Sequence, residues 1–250
     1  MLDDGARPLL HTEGLTRHFG GLVAVSELDL EIRPREILGL IGPNGAGKST
    51  TFNLISGFYR PSAGKLFFLG EDCTGRGARA ISRMGLVRTF QHGSVMPSMK
   101  VRDNILVGLL HGMLGKGRRQ RAARIEETAA LLGLTQHLDT EAGALPHGLQ
   151  RLVSIAIALA ARPKLLCLDE PLTGLNQVEV QHTLEVLKQV RDDFGITVLL
   201  VEHNMKAVMA ICDRIVVLHH GQYLASGSPE EVRGNQAVID SYLSGTKHDR

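Results

Sequence analysis

The feature that most constrains the fold is a glycine-rich segment that directly follows a short apolar run. Residues 37–41 are continuously apolar, as expected for a strand buried on both faces of a parallel sheet. A helix is predicted from about Ser49 to Ser56. The segment between them matches the pattern G-x-x-x-x-G-K-[ST] at every fixed position, with the residues Gly42, Pro43, Asn44, Gly45, Ala46, Gly47, Lys48 and Ser49.

This strand–loop–helix arrangement has the chemistry of a phosphate-binding loop. Glycines lack a Cβ atom, so the main chain can wrap around a phosphate group with successive N–H groups pointing inward. The N-terminus of the following helix adds the positive end of its dipole. We expect Lys48 to reach the β and γ phosphates of a nucleotide and the Ser49 hydroxyl to complete a Mg²⁺ shell.

A pair of carboxylates follows a second apolar run, at residues 165–168. Asp169 and Glu170 come directly after this run, and ligands of open α/β sheets bind at the carboxyl ends of the strands. Beside a phosphate loop, Asp169 is predicted to hold Mg²⁺, through a water molecule. Glu170 is predicted to act as the general base for the water that attacks the γ-phosphate.

The distribution of apolar runs predicts an α/β fold with a helical insertion. Further strands are expected at 197–201 and 215–218, and the stretch from about Val178 to Asp193 has helical periodicity. Strands that alternate with helices in this way indicate a parallel sheet with right-handed crossovers. Leu28, Leu30 and Ile32 alternate with acidic residues, which predicts a half-buried strand. From about Val101 to Ala161, only helical periodicity is found.

Composition and charge narrow the class of protein. The chain has 250 residues, of which 43% are hydrophobic and 22% charged, and its formal net charge is +2. This balance argues against nucleic acid as a partner, because nucleic-acid-binding domains carry a strong basic excess. Cys73, Cys167 and Cys212 lack metal-ligand spacing, which indicates buried thiols in a reducing compartment. The longest apolar run, Leu152 to Ala161, is about half of the roughly 20 residues that span a bilayer, so a membrane role would come through a partner.

With these motifs in place, the chain resembles the ATP-binding cassette (ABC) family over nearly its whole length. The run Arg88 to Gln91 is similar to the glutamine loop, in which Gln91 would reach Mg²⁺ and the attacking water. His203 matches the switch histidine that contacts the γ-phosphate. Gly174 to Asn176 corresponds to the loop that crosses the dimer interface. Phe19 matches the aromatic residue that stacks on adenine, with Val25 beside it.

The resemblance implies the fold, the ligands and the assembly. The fold would be a P-loop nucleotide-hydrolase core with a parallel sheet, an N-terminal antiparallel β subdomain and a helical insertion. Residues 1–250 would form a single ATPase domain, with a catalytic core at about 9–91 and 162–243 and a helical subdomain at about 92–161. ATP and Mg²⁺ would be the ligands, with Thr50 extending the phosphate contacts. Two subunits would enclose two ATP molecules head to tail.

The signature motif of the family, which acts on the nucleotide of the partner subunit, is unusual here. It corresponds to residues 146–150, which are Pro146, His147, Gly148, Leu149 and Gln150. Pro146 replaces the serine of the family, His147 replaces a glycine and Leu149 replaces a polar residue. Proline cannot donate a hydroxyl hydrogen bond to a γ-phosphate. We hypothesise that this segment serves the partner's nucleotide weakly, in a dimer with unequal sites. The alternative is that the family tolerates these substitutions.

Within the family, the chain looks most similar to the ATPases of branched-chain amino-acid importers. The supporting segments are 19–25, 88–92, 174–176, 202–205, 227–232 and 238–243. The resemblance implies transmembrane permease subunits as partners, a second ATPase subunit in a homodimer or heterodimer, and a periplasmic solute-binding protein as an indirect partner. It places the chain peripherally at the cytoplasmic face of the inner membrane. The surface from His92 to Lys100 is the candidate contact with the permease.

Other classes remain as alternatives. Related ABC ATPases energise the import of urea, amides or aromatic acids, or the export of lipopolysaccharide. A soluble cassette protein of the translation type would carry two phosphate loops, and one of the DNA-repair type would have long coiled coils; neither feature occurs here. A GTP-binding switch would need an Asn-Lys-x-Asp segment, which is absent from the sequence.

Overall fold

A computed structural model describes residues 7–89, 95–110 and 117–245. In chain order, the strands are β1 (Leu10–Phe19), β2 (Leu22–Leu28), β3 (Glu31–Ile32), β4 (Ile37–Ile41), β5 (Ala63–Phe68), β6 (Glu71–Asp72), β7 (Leu86–Arg88), β8 (Leu165–Asp169), β9 (Thr197–Val201), β10 (Arg214–His219) and β11 (Gln222–Gly227). The helices are α1 (Lys48–Ile55), α2 (Ala78–Met84), α3 (Val101–Leu109), α4 (Arg118–Leu131), α5 (His147–Ala160), α6 (Gln177–Asp192), α7 (Met205–Ile211), α8 (Pro229–Gly234) and α9 (Gln236–Gly245).

The larger sheet has the strand order β11-β10-β4-β9-β8-β7. Its strands from β10 to β7 pair in parallel, and β11 joins the edge in the antiparallel sense. All residues of β4, β8 and β9 are buried. Successive side chains of a strand point to opposite faces, so full burial requires that both faces be covered. The predicted parallel sheet is confirmed.

The two faces of this sheet belong to two apolar clusters. Ile37 and Ile41 of β4 pack with the helical segment and with α6 and α7. Leu38 and Leu40 of the same strand pack with α1 and with the second sheet. That second sheet is antiparallel, with the order β2-β1-β5-β6 and with β3 paired to β1, as predicted for the N-terminal subdomain. The phosphate loop thus leaves a strand that is fixed from both sides.

The predicted strand from Leu28 to Ile32 is divided in the structure. Leu28, Leu30 and Ile32 are buried and the acidic residues between them are exposed, so the predicted alternation is confirmed. The ladder nevertheless breaks, because β2 ends at Leu28 and β3 contains only Glu31 and Ile32. The register between β1 and β2 shifts here, and Glu27 has a φ of 47°. A pattern of alternating burial does not reveal such an irregularity.

The middle of the chain is helical, as predicted. Helices α4 and α5 are joined by a segment that contains short 3₁₀ turns at Thr135–His137 and Ala142–Ala144. Residues 111–116, between α3 and α4, lie outside the described ranges. The limits proposed for a separate helical subdomain remain a prediction. Among the helices of the described ranges, none has both the length and the apolar character that a membrane-spanning helix needs.

Contact between α3 and α5 depends on a glycine. A Cβ atom on Gly108 would lie 2.0 Å from the Ile157 carbonyl oxygen and 3.2 Å from the Ala160 Cβ. We therefore expect Gly108→Ala to force the two helices apart and to lower the free energy of unfolding by about 1–3 kcal/mol, even though alanine is the better helix former. Urea denaturation of the full chain measures this change.

Gly234→Ala is the matched control. Gly234 is the last residue of α8 and is exposed, and among the described residues no neighbouring atom lies within 4 Å of the position that a Cβ atom would take there. This substitution should leave the urea midpoint at or slightly above that of the wild type, because alanine is the better helix former. Equal midpoints for the two variants would contradict close packing at Gly108.

Candidate active site

The phosphate loop is held in a backbone shape that requires glycine. Gly42 has a φ of 151° and Gly47 a φ of 96°. A Cβ atom at Gly42 would lie 2.2 Å from the Leu218 carbonyl oxygen, and one at Gly47 would lie 2.6 Å from the Ala24 carbonyl oxygen. Side chains at these two positions are therefore excluded by the main chain of β10 and β2. The phosphate loop therefore lies between the two sheets and contacts a strand of each.

The N-terminus of α1 faces the loop without a side-chain cap. Its N-cap residue is Gly47, which makes no capping hydrogen bond, and its first turn carries no acidic residue. The first N–H groups of a helix have no intrahelical partner, and together with the dipole they form a ready site for an anion. Ser49 is exposed in this turn and Thr50 is partly buried beside it. Pro43, Asn44, Gly45 and Ala46 form the bend that precedes it.

Lys48 folds back over the loop. Its Nζ donates hydrogen bonds to the carbonyl oxygens of Gly42, at 2.7 Å, and of Pro43, at 3.0 Å. Burial lowers the pKa of Lys48, and the carboxylates of Glu170 and then Asp169 act in the opposite direction. The structure therefore brings together the lysine and the two carboxylates that the sequence predicts to share a site. An ammonium group in this position can exchange carbonyl oxygens for phosphate oxygens.

Asp169 is the last residue of β8 and is 8% exposed. Its Oδ2 accepts a hydrogen bond from Nη2 of Arg88 at 3.1 Å. Burial raises the pKa of Asp169, an effect that Arg88 opposes. Arg88, on the neighbouring strand β7, therefore stabilises the charged form of this carboxylate.

Arg88 is a site residue that sequence reasoning did not single out. Its Nη1 donates to Asn53 Oδ1 of α1, and its guanidinium lies 4.6 Å from the centroid of the Phe52 ring. One side chain thus joins the helix that follows the phosphate loop to the strand that ends at Asp169. Its place three residues before Gln91 is the signal that could have indicated it.

Glu170 adopts a backbone conformation that is uncommon for a residue with a side chain. Its φ is 48°, and its N–H donates to the Val201 carbonyl oxygen at 2.9 Å. Non-glycine residues in this region are strained, and such strain is concentrated at functional sites. Nδ1 of His203 lies 3.4 Å from Glu170 Oε1. The predicted general base and the predicted switch histidine are thus neighbours at the ends of β8 and β9.

The donor set fits Mg²⁺. Nucleotide-hydrolysing sites hold this ion through one or two protein oxygens together with phosphate and water oxygens. Asp169 supplies a buried carboxylate oxygen and Ser49 an exposed hydroxyl at the loop. Gln91, the third predicted ligand, lies outside the described residues, as do His92 to Ser94 of the candidate permease surface.

The two residues predicted to contact adenine lie in different surroundings. Val25 is fully buried, and its Cγ2 would be 3.4 Å from a Cβ at Gly47, so it packs against the phosphate loop. Phe19 is 38% exposed at the end of β1. Its ring meets that of Tyr59 edge-on at 5.3 Å, and the guanidinium carbon of Arg17 lies 4.6 Å from its centroid. Tyr59 is a further aromatic residue at this surface, and it was not predicted from the sequence.

The signature segment begins α5 and packs against the residues that follow Glu170. Pro146 is the N-cap of the helix, and His147 is its first residue. The His147 ring contacts Gly174, where a Cβ would lie 3.2 Å from Cε1. A Cβ at Gly148 would lie 2.1 Å from Glu179 Oε1, so a side chain there would displace the carboxylate that accepts the Asn176 N–H.

The last two signature residues have structural contacts of their own. Gln150 Nε2 donates to the Leu145 carbonyl oxygen at 2.9 Å, and Leu149 is partly buried against the apolar cluster of the helical segment. Their side chains therefore stabilise the start of α5.

Together, the glycine-rich loop, the lysine and the two strand-end carboxylates define a P-loop nucleotide hydrolase. The model of the ABC transporter family matches residues 25–173. The chain therefore belongs to the ABC transporter family, and the prediction of an ATP-hydrolysing subunit of this family is confirmed.

Known proteins support this assignment over nearly the whole chain. The high-affinity branched-chain amino acid transport ATP-binding protein LivG of Escherichia coli (strain K12) is 42% identical, over 95% of this chain and 98% of that protein. The corresponding protein BraF of Pseudomonas aeruginosa is 40% identical, with coverage of 95% and 98%. The crystal structure of the ADP conformation of MJ1267, an ATP-binding cassette of an ABC transporter, is similar with a TM-score of 0.85 and 27% identity, over 95% of this chain and 99% of that one.

The ion pair between Arg88 and Asp169 generates a pH-dependent prediction. Arg88→Met leaves a buried carboxylate without its cation, so at pH 7.5 we expect the free energy of unfolding to fall by about 3 kcal/mol, the low end of the range for a buried ion pair. Burial then raises the pKa of Asp169 further, and the native state binds more protons than the unfolded state above the ordinary aspartate pKa. Stability consequently increases as the pH falls, and the deficit of the variant should shrink at pH 5. Urea denaturation of the nucleotide-free chain at both pH values measures it.

Arg83→Met is the control for this measurement, because Arg83 is exposed on α2. It should match the wild type at both pH values. A deficit of Arg88→Met that stays constant between pH 7.5 and pH 5 would show that the lost contacts are those with the Phe52 ring and Asn53 rather than the ion pair.

Proposed function

We propose that this chain binds ATP and Mg²⁺ at the phosphate loop and hydrolyses ATP to drive a branched-chain amino-acid importer. The observation that carries the proposal is the convergence of Lys48, Asp169 and Glu170 at the carboxyl ends of β4 and β8. Open α/β sheets bind their ligands at this edge.

Each residue has a role that follows from its position. The main-chain amides of the loop and the N-terminus of α1 bind the phosphates, and Lys48 releases the carbonyl oxygens of Gly42 and Pro43 to contact the β and γ phosphates. Phe19 stacks on adenine, with Val25 packed beneath the loop. These contacts hold the nucleotide before hydrolysis and lower its dissociation constant.

Hydrolysis depends on the residues at the ends of β8 and β9. Glu170 accepts a proton from the water that attacks the γ-phosphate, and His203, 3.4 Å away, contacts the same phosphate. Asp169 and Ser49, with Gln91, hold Mg²⁺, which neutralises charge on the β and γ phosphates when it is bound. Phosphoryl transfer relies mainly on such positioning and electrostatic stabilisation.

The chain acts as one half of a dimer in this proposal. ATP lies between the phosphate loop of one subunit and the signature segment, residues 146–150, of the other. ATP shifts the population toward the closed dimer because it binds that form better. Pro146 contributes no hydroxyl donor, so the segment holds the partner's nucleotide through Gly148 and the N-terminus of α5.

The cargo class and the partners are inferred from the relatives. LivG and BraF are both named for branched-chain amino acid transport, and both match almost the full length of this chain. We assign this chain to permease subunits of the same class, with a periplasmic solute-binding protein delivering the cargo. The chain is then peripheral to the inner membrane, at its cytoplasmic face.

Glu170→Gln tests the catalytic assignment. The amide cannot accept the proton of the attacking water, whereas the loop that binds ATP is unchanged. We expect ATP turnover to fall by at least about 100-fold, which is the usual contribution of a general base, while ATP affinity stays within about twofold. Turnover is measured as phosphate release, and affinity by displacement of a fluorescent ATP analogue.

Glu185→Gln on the exposed face of α6 is the charge-matched control and should behave as the wild type. Hydrolysis by Glu170→Gln at the wild-type rate would contradict the assignment. Failure of the chain to co-purify from membranes with permease subunits would contradict the transport role.

Pro146→Ser tests the signature segment. A serine hydroxyl would restore one hydrogen bond to the partner's γ-phosphate, and a hydrogen bond to a charged group contributes about 1.5–3 kcal/mol. We expect turnover of the assembled transporter to rise by about 10- to 100-fold. Pro146→Ala is the matched control, because both variants gain the backbone N–H that proline lacks and only Pro146→Ser adds a hydroxyl donor. An unchanged rate for Pro146→Ser, or an equal rise in both variants, would contradict the proposal that the missing hydroxyl at position 146 weakens the partner's site.

A further inference from the structure

A buried carboxylate lies directly behind the two residues that act on the γ-phosphate. Glu202 follows β9 and is 2% exposed. Its Oε1 accepts a hydrogen bond from the N–H of Leu172 at 2.8 Å. Its Oε2 accepts from the N–H groups of His203, at 3.2 Å, and of Asn204, at 3.4 Å. The two oxygens thus hold the backbones of two different loops.

These loops carry the proposed catalytic side chains. Leu172 is two residues beyond Glu170, at the end of β8, and the other two amides belong to His203 itself and to its neighbour. The Glu170 N–H is also held by β9, through the Val201 carbonyl oxygen at 2.9 Å. The distance of 3.4 Å between Glu170 Oε1 and His203 Nδ1 is therefore set by two loops that share one acceptor.

Glu202 can bind two loops at once because both oxygens of an ionised carboxylate accept hydrogen bonds. Burial raises the pKa of Glu202, and the hydrogen bonds from the backbone of Leu172 and Asn204, together with the charge of His203, oppose that rise. A glutamine of nearly the same shape offers one acceptor and one NH₂ donor. In one of the two loops, the backbone N–H would then face the NH₂ group of the glutamine, which is also a donor. A buried N–H without an acceptor has lost its hydrogen bonds to water and gained none in their place. That loop is therefore expected to move away from its present position.

We propose that Glu202 is a positioning residue for hydrolysis, which clamps the loop after β8 to the loop after β9 and so fixes Glu170 against His203. This inference rests on the proposed roles of those two residues. The clamp acts mainly on hydrolysis, because most of the proposed contacts with ATP come from the phosphate loop and the surface around Phe19, on other elements. A residue that merely stabilised the fold would not separate these two effects.

The test is Glu202→Gln in the full chain, assayed in the assembled transporter. Misplacement of reacting groups by about 1 Å can reduce rates by about 100-fold, so we expect kcat to fall by about 10- to 100-fold. KM for ATP, and the affinity for a fluorescent ATP analogue, should stay within about twofold of the wild type. Glu202→Asp keeps the charge but is one methylene shorter, so it cannot reach both loops and should lose kcat in the same way. It also provides the test if Glu202→Gln does not fold.

Two comparisons make the result decisive. Glu185→Gln removes an exposed carboxylate that contacts Gln181 on α6, and it should leave kcat unchanged. In the double variant with Glu170→Gln, Glu202→Gln should cause no further loss, because residues that act as a unit are not additive. A wild-type kcat for Glu202→Gln, or equal losses in kcat and nucleotide affinity, would overturn the clamp.

The same series separates this inference from the proposed function. Hydrolysis by Glu170→Gln at the wild-type rate would remove the proposed general base, whatever Glu202 does. An inactive Glu170→Gln beside a fully active Glu202→Gln would leave the general base in place and remove only the clamp.

Discussion

Parallel pairing of β4, β9 and β8 is the constraint on which the rest of the site depends. The register places Leu40 beside Val201 and Val201 beside Asp169, so the three strands end at the same edge of the sheet. All three strands are buried on both faces, which leaves them little freedom to slip, since a shift of one residue would turn every side chain to the opposite face. The loops that leave these ends carry Lys48, Glu170 and His203, and their mutual distances follow from the register.

The charges at this edge are balanced before any nucleotide binds. Lys48 and Arg88 face Asp169 and Glu170, and burial weakens the charged forms of both Lys48 and Asp169. A buried charge is tolerated only when it has a partner. The two cations differ in their partners, because Lys48 is bound to carbonyl oxygens that phosphate can replace, whereas Arg88 is fixed between α1 and β8. Lys48 can therefore move to the phosphates of a bound nucleotide, whereas Arg88 keeps α1 and β8 in place.

The start of α5 packs against two other segments, α6 and the loop that follows Glu170. Gly148 packs against Glu179, and the same carboxylate caps α6 by accepting the Asn176 N–H at 2.9 Å. His147 contacts Gly174 in the loop that follows Glu170. Residues proposed to act on the partner's nucleotide are thus packed onto the loop that follows Glu170, the proposed general base.

The sequence by itself determined the phosphate loop, the two strand-end carboxylates and the α/β class, because each depends on neighbours along the chain. Glycine at positions 42 and 47 permits a backbone that other residues cannot adopt, and continuous apolar runs predict buried strands without knowledge of their partners. Only the tertiary structure decided that Arg88 pairs with Asp169, 81 residues away, and that Glu202 binds the Leu172 amide, 30 residues away. The break between β2 and β3 and the contact between Phe19 and Tyr59 were likewise invisible in the pattern. A side chain's partner is chosen by packing between distant segments, and a local sequence pattern contains no information about which segments will meet.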